Sequence, residues 1–286
     1  MVKKEKKEPF YNNIILIPSD FSEINENAIG HGLGLAQLLH AKVCILHVIN
    51  PQSEAAQKKG ETEVEQIDRR LNQYKDHYKR HYPVKIELLR REGNILKVIN
   101  EVAAEIKASL MVLGTHGKKG LQHLYGSYAL KVVLDCPCPV VIVQKRLFDN
   151  GYRNIVVPIR NEVEARQSVD MILLMHKLFA STIHLLQAME PDPEKNSRLK
   201  TIILQITGIL DEKKIRWEIN MTDETDLPTQ VISHAVEKKS DLIMIRSMPG
   251  EDATDFSFSK WNERLMFNEA QIPILCINTV EQDNHG

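Results

Sequence analysis

Four segments from the first half of this chain return in the same order in the second half, and that self-similarity restricts the fold more than any single residue does. Asn13-Ile-Ile-Leu-Ile-Pro18 comes back as Asn154-Ile-Val-Val-Pro158. Lys42-Val-Cys-Ile-Leu-His-Val-Ile-Asn-Pro51 comes back as Thr182-Ile-His-Leu-Leu-Gln-Ala-Met-Glu-Pro191, and both pairs sit at an offset of 140 residues. Ile99 to Leu113 answers Val231 to Ile245 at an offset of 132, and Pro139-Val-Val-Ile-Val answers Pro273-Ile-Leu-Cys-Ile at 134. Constant order with a small drift in spacing means two copies of one domain that differ in their loops. The 286 residues leave each copy long enough to bury its own core. The joint falls near Lys145 to Tyr152, where Phe148-Asp-Asn-Gly151 supplies turn chemistry. The domains are therefore expected at 1–147 and 148–286.

Two periodicities alternate within a copy. Short apolar runs at 14 to 17, 43 to 49, 84 to 89, 110 to 113 and 140 to 143 read as strands covered on both faces. Between them, Val64, Ile67, Leu71, Tyr74 and Tyr78 recur at helical spacing, as do Ile95, Val98, Ile99, Val102 and Ile106, and later Leu199, Ile202, Ile206 and Ile209. The expected fold class is α/β: two tandem doubly wound domains, each a five-stranded, mainly parallel sheet with about four helices. Such sheets bind ligands beyond the carboxyl ends of their strands, where the strand order reverses.

The fourth strand of the first copy runs into Gly114-Thr-His-Gly117-Lys-Lys-Gly120, and Gly126-Ser127 opens a helical stretch. Glycines bring backbone close to a bound group, and a helix N-terminus favours an anion, so the segment suits a phosphate. The alternative is that the glycines only turn the chain and Ser127 caps the helix. No Gly-x-x-x-x-Gly-Lys-Ser/Thr run occurs, which disfavours a lysine-driven NTPase. After the first strand, Pro18-Ser19-Asp20 offers a carboxylate that accepts from a sugar or base, or that caps the helix beginning near Glu23. His47 reads as a satisfied interior histidine, and His116 and His123 lack the setting for a zinc site.

These motifs resemble the universal stress protein family, in the form of two such domains fused. The resemblance rests on Pro18-Ser19-Asp20, His47-Val48-Ile49, Gly114-Thr-His-Gly117 followed by Gly126-Ser127, and Pro139-Val-Val-Ile-Val. It covers residues 12 to 145 and extends more weakly through 280. Eight residues separate Gly117 from Gly126, one fewer than in the family pattern. The resemblance implies a regulatory module that binds ATP or a related nucleotide, with Mg as an optional companion. Asp20 would face ribose or adenine, and Val48 would meet adenine through its backbone. Gly114 and Gly117 would flank ribose and the α-phosphate, Gly126 and Ser127 would hold the outer phosphates, and Pro18, Ser19, Thr115 and Tyr128 are expected to line the same cofactor site. No residue is assigned a catalytic or metal-binding role. The other readings are an interaction protein without nucleotide and a weak ATP hydrolase, for which Asp20 is the one acidic candidate.

The second copy departs from this pattern. Arg246-Ser-Met-Pro249-Gly250 stands where Gly114 to Gly117 stands in the first, Arg160 stands opposite Asp20, and Phe256-Ser-Phe-Ser-Lys-Trp261 replaces Gly126-Ser127. It is expected to lack the nucleotide site and to serve as scaffold or interface, unless the two arginines gather a different anion. The partners expected are thus a nucleotide, the other half of the chain as an intramolecular pseudo-dimer, a further copy as homodimer and an unidentified protein. Lys+Arg 37 against Asp+Glu 38 gives a net charge of -1, which excludes a globally basic nucleic-acid coat. No apolar run reaches the roughly 20 residues of a membrane helix, no signal peptide is evident, and a cytoplasmic location is expected. Four cysteines make no disulfide scaffold, and Cys136-Pro-Cys138 reads as buried small hydrophobes beside a strand.

Overall fold

The computed structural model describes residues 13–50, 62–115, 126–149, 151–160, 167–189, 192–222, 226–247 and 263–278. The first half runs β1 (Ile14–Pro18), α1 (Glu23–Leu39), β2 (Lys42–Ile49), α2 (Thr62–Lys79), β3 (Ile86–Glu92), α3 (Ile95–Glu105), β4 (Leu110–Gly114), α4 (Gly126–Leu134) and β5 (Val140–Val143). The second half runs β6 (Asn154–Ile159), α5 (Gln167–Phe179), β7 (Thr182–Ala188), α6 (Pro193–Glu212), β8 (Trp217–Thr222), α7 (Leu227–Glu237), β9 (Leu242–Ser247) and β10 (Ile274–Asn278). Among the described residues no helix is long and apolar enough to cross a membrane.

The ten strands form one sheet in the order β3-β2-β1-β4-β5-β10-β9-β6-β7-β8. Every pairing is parallel except β5 with β10, which is antiparallel. The two halves therefore carry the same strand order and meet through their last strands. Helices cover both faces, and each face holds one apolar core that runs unbroken across the seam. One face packs residues of α1, α2, α5 and α6, and the other packs residues of α3, α4 and α7.

Local chemistry sets the element ends. Ser22 caps α1, its hydroxyl accepting from Asn25 N at 3.4 Å, and Glu23 and Glu26 place negative charge on the first turn. His40 ends that helix in the left-handed conformation. Asn94 caps α3 and Asp192 caps α6, the latter with Pro193 in the first turn. The third strand differs from its expectation. It runs from Ile86 to Glu92 and is half-exposed along most of its length, because it is the edge of the sheet and one flank faces solvent. Arg90 and Arg91 are tolerated there for that reason, and Arg90 pairs with Asp68 of α2.

The stretch joining the halves is packed. Phe148, Tyr152 and Phe179 meet edge-on, with ring centroids 5.4–6.1 Å apart, and His31 of α1 stacks on Tyr152 at 5.9 Å. Gly151 turns the chain at φ +73°, and a side chain there would collide with the Phe179 ring. His31 Nε2 donates to the Arg146 carbonyl at 2.8 Å, which leaves Nδ1 to accept from the Tyr152 hydroxyl at 2.7 Å. Arg146 in turn reaches the Ser240 carbonyl at 2.7 Å and Asp241 at 3.5 Å.

Two side-chain amides cross the seam in opposite directions. Gln144, after β5, donates to the carbonyls of Met266 and Asn268 at 3.4 and 3.2 Å. Asn278, at the end of β10, donates to those of Val133, Cys136 and Cys138 at 2.7, 2.8 and 3.2 Å. Each half thus grips the turn that precedes the other half's last strand.

Candidate functional site

In the first half the strand order reverses between β1 and β4, so the crevice lies beyond Pro18 and Gly114. The β1 end is a tight turn. Ser19 N donates to Leu46 O at 2.7 Å, and the Ser19 hydroxyl accepts from Phe21 N at 3.2 Å. Asp20 Oδ1 accepts from Ser22 N at 2.9 Å and from the Asn25 side-chain amide. Asp20 therefore shapes the turn, and the cap of α1 is Ser22 instead. Phe21 sits at φ +62°, an uncommon conformation for a bulky residue, and its ring stacks on His47 with centroids 4.5 Å apart. Arg70 of α2 lies 5.0 Å from the Phe21 centroid and Tyr74 meets the same ring edge-on at 5.6 Å. His47 Nδ1 donates to Ser19 O at 2.8 Å, as a satisfied histidine should. Burial, with the Glu26 carboxylate next, pushes the Tyr74 hydroxyl up to about 12.

Gly114 closes β4 against the start of α1. A Cβ at this position would lie 3.2 Å from Ile24 O and 3.4 Å from Asn25 Cα. The absence of a side chain here is thus used first by α1, which packs directly on the strand end. Thr115 follows, wholly buried, its N–H donating to Val143 O at 2.9 Å. Among the described residues, two buried side-chain atoms beside this contact have no hydrogen-bond partner: Thr115 Oγ1 and Asn25 Oδ1.

The structure places Pro18, Ser19, Asp20, Gly114 and Thr115 at the adjacent carboxyl ends of β1 and β4. Val48 lies two residues beyond Leu46, the β2 residue that pairs with Pro18. Gly126 starts α4, with Ser127 and Tyr128 in its first turn. Gly117, His116 and His123 lie outside the described residues. Sequence reasoning passed over Asn25, Phe21 and Arg70. Asn25 drew no reading of its own, and its link to Asp20 was signalled only by the carboxylate five positions earlier. Phe21 and Arg70 meet across a distance in sequence that no local pattern spans.

At the matching place in the second half, Arg246 sits near the end of β9 with its side chain 7% exposed. Arg160 follows β6, and residues 256–261 lie outside the described residues. Among the described residues no group of three or more His, Cys, Asp or Glu is placed to hold a metal ion.

Residues 12–144 match the model of the Universal stress protein family. A universal stress protein of Methanocaldococcus jannaschii is 29% identical over 146 residues, spanning 46% of this chain and 81% of its own length. Universal stress protein G of Salmonella typhimurium is 27% identical over 143 residues, spanning 47% of this chain and 99% of its own. The crystal structure of a universal stress protein from Archaeoglobus fulgidus superposes on 95% of this chain and 98% of its own with a TM-score of 0.72 at 16% identity, a likeness of fold across both halves. This chain therefore carries a universal stress protein domain in residues 12–144.

Proposed function

We propose that the first half is a nucleotide-binding regulatory module for ATP or a related nucleotide, and that the second half is a degenerate copy serving as scaffold and interface. The observation that carries this reading is the pair of buried, unpartnered atoms at the strand-order reversal, Thr115 Oγ1 and Asn25 Oδ1. A buried polar group without a partner costs about 1–3 kcal/mol, a cost that a ligand completing the hydrogen bonds would remove. The two atoms differ in chemistry. Asn25 Oδ1 only accepts, so it suits a hydroxyl or amine of the ligand and is unsuited to a phosphate. The Thr115 hydroxyl can donate to a phosphate oxygen, and the N-terminus of α4 adds N–H groups and dipole for the same purpose. The sugar and base would then lie toward Asn25 and the β1–β2 ends, with phosphates toward Thr115 and Gly126, and Gly117, Ser127 and Tyr128 completing the cradle. Because Asp20 Oδ1 is engaged by the turn, no catalytic step is assigned to it.

The test is Thr115→Val, which keeps the shape and deletes the hydroxyl. With no intramolecular bond to lose, the variant should melt at the same temperature as the parent or higher. Calorimetric titration with ATP should show affinity reduced about ten- to 150-fold, the scale of a lost hydrogen bond to a charged group. Equal affinity in a folded variant refutes the assignment.

A further inference from the structure

The turn between α4 and β5 holds two cysteines whose sulfurs are 3.6 Å apart, each side chain buried at 4% exposure. The matching turn of the second half is stapled by Asn268, whose side chain accepts from Ile272 N at 2.9 Å and donates to the Leu265 and Ile272 carbonyls at 2.9 Å each. At the first-half turn the thiol contact stands where that staple would be. The carbonyls of both cysteines are also the ones that Asn278 grips from across the seam. We propose that Cys136 and Cys138 form a dithiol that hydrogen peroxide oxidises reversibly to an intrachain disulfide, a modification site coupled to the seam between the halves.

The chemistry balances in two steps. The Cys136 thiolate attacks one peroxide oxygen, the O–O bond breaks, hydroxide leaves, and Cys136 becomes a sulfenic acid. The Cys138 sulfur then attacks Cys136 Sγ as its proton passes to the departing hydroxyl, the S–O bond breaks, and water leaves. With two protons returned from the thiols, the net change is two thiols and one peroxide to one disulfide and two waters. The geometry favours the second step, since the resolving sulfur already touches the first. Burial selects the oxidant, because side chains at 4% exposure disfavour attack by a bulky disulfide such as oxidised glutathione over a small peroxide. The thiols also divide the roles: hydrogen bonding from Cys138 lowers Cys136, while the same bond and burial raise Cys138 well above an ordinary thiol. The two other cysteines are inert by comparison, as burial pushes Cys44 up to about 12 and Cys276 upward. Closing the bond brings the sulfurs from 3.6 Å to about 2 Å and so draws in the turn that Asn278 holds.

The experiment treats the full chain with hydrogen peroxide, quenches it, and alkylates under denaturing conditions. The expected result is an intact mass about two units lower before alkylation, two alkylatable thiols assigned to Cys44 and Cys276, and all four restored by dithiothreitol. In Cys138→Ser, Cys136 should be trapped as a sulfenic acid that a dimedone probe labels. Four alkylatable thiols after peroxide, or a disulfide that includes Cys276, would overturn the dithiol assignment. A melting midpoint that does not move between the oxidised and re-reduced protein would overturn the coupling to the seam.

Discussion

At the junction, His31 gives the chain a pH-dependent contribution to stability. His31 is wholly enclosed, and burial depresses its pKa from the ordinary 6.5 to about 4, with the neighbouring Arg146 charge acting the same way. Its two bonds demand the neutral ring, because Nδ1 must accept from Tyr152 while Nε2 donates to Arg146 O. An unfolded chain protonates His31 near pH 6.5, whereas the folded one resists until about 4. Between those values the unfolded state binds more protons, so stability falls as the pH drops through that window. The full loss from this one group is on the order of 3 kcal/mol. Urea midpoints measured from pH 7.5 to 4.5 should therefore decline, and His31→Gln should flatten the decline while lowering the pH 7.5 midpoint through lost packing. A variant with the parental slope would show that the acid sensitivity comes from elsewhere. Gly114 teaches the other lesson at this scale. The sequence pattern marks it as a ligand-facing glycine, yet its bare Cα is already needed where α1 crosses the end of β4.

Among the elements, the join between β5 and β10 is the one that makes a single sheet out of the two halves. Three residue pairs form this antiparallel contact, fewer than the parallel ladders on either side, so the seam depends on what reinforces it. Gln144 and Asn278 supply the reinforcement, each satisfying buried carbonyls of the opposite half. Truncating either removes these bonds in a place water reaches poorly: Asn268 O keeps Gln271 N and Val133 O keeps Cys136 N, whereas the Met266, Cys136 and Cys138 carbonyls lose the amide donor, at about 1–3 kcal/mol apiece. Gln144→Ala and Asn278→Ala should each lower stability by that amount, with Asn278→Ala the larger because it serves three carbonyls. Thermal melts would check it, and a neutral Asn278→Ala would mean the seam rests on apolar packing alone. These locks were not legible in the sequence. Pro139-Val-Val-Ile-Val and Pro273-Ile-Leu-Cys-Ile announced matching strands, but nothing in a period-two pattern states that two such strands will pair with each other across about 130 residues. Helix and strand existence was legible throughout the first half, since apolar spacing follows from what each element must bury. The edge strand was misplaced by two residues at its start and three at its end, because half-exposed strands may hold charge and the pattern then fades.

For the molecule as a whole, the repeat is symmetric in topology and asymmetric in chemistry. Both halves present a strand-order reversal, β1 with β4 in one and β6 with β9 in the other. In the first, a glycine at the end of β4 allows α1 onto the strand and leaves Asn25 and Thr115 as buried atoms awaiting partners. At the corresponding position of β9 stands Arg246, a long cationic side chain that is itself buried and occupies volume where the first half has none. The sequence showed this contrast through Gly114 and Arg246, although it left open whether the arginine would point outward to solvent. Its burial fits a second half without a nucleotide site, because a buried arginine at the strand end leaves less room there than the glycine of the first half. Titration of ATP into the full chain should therefore saturate at one nucleotide per chain, and native mass spectrometry should show a single adduct. Thr115→Val should weaken that one event and leave no second event behind it. Two nucleotides per parent chain would mean that Arg246 welcomes the anion instead of excluding its site. One nucleotide that survives Thr115→Val unweakened would place binding in the second half and reverse the asymmetry argued here.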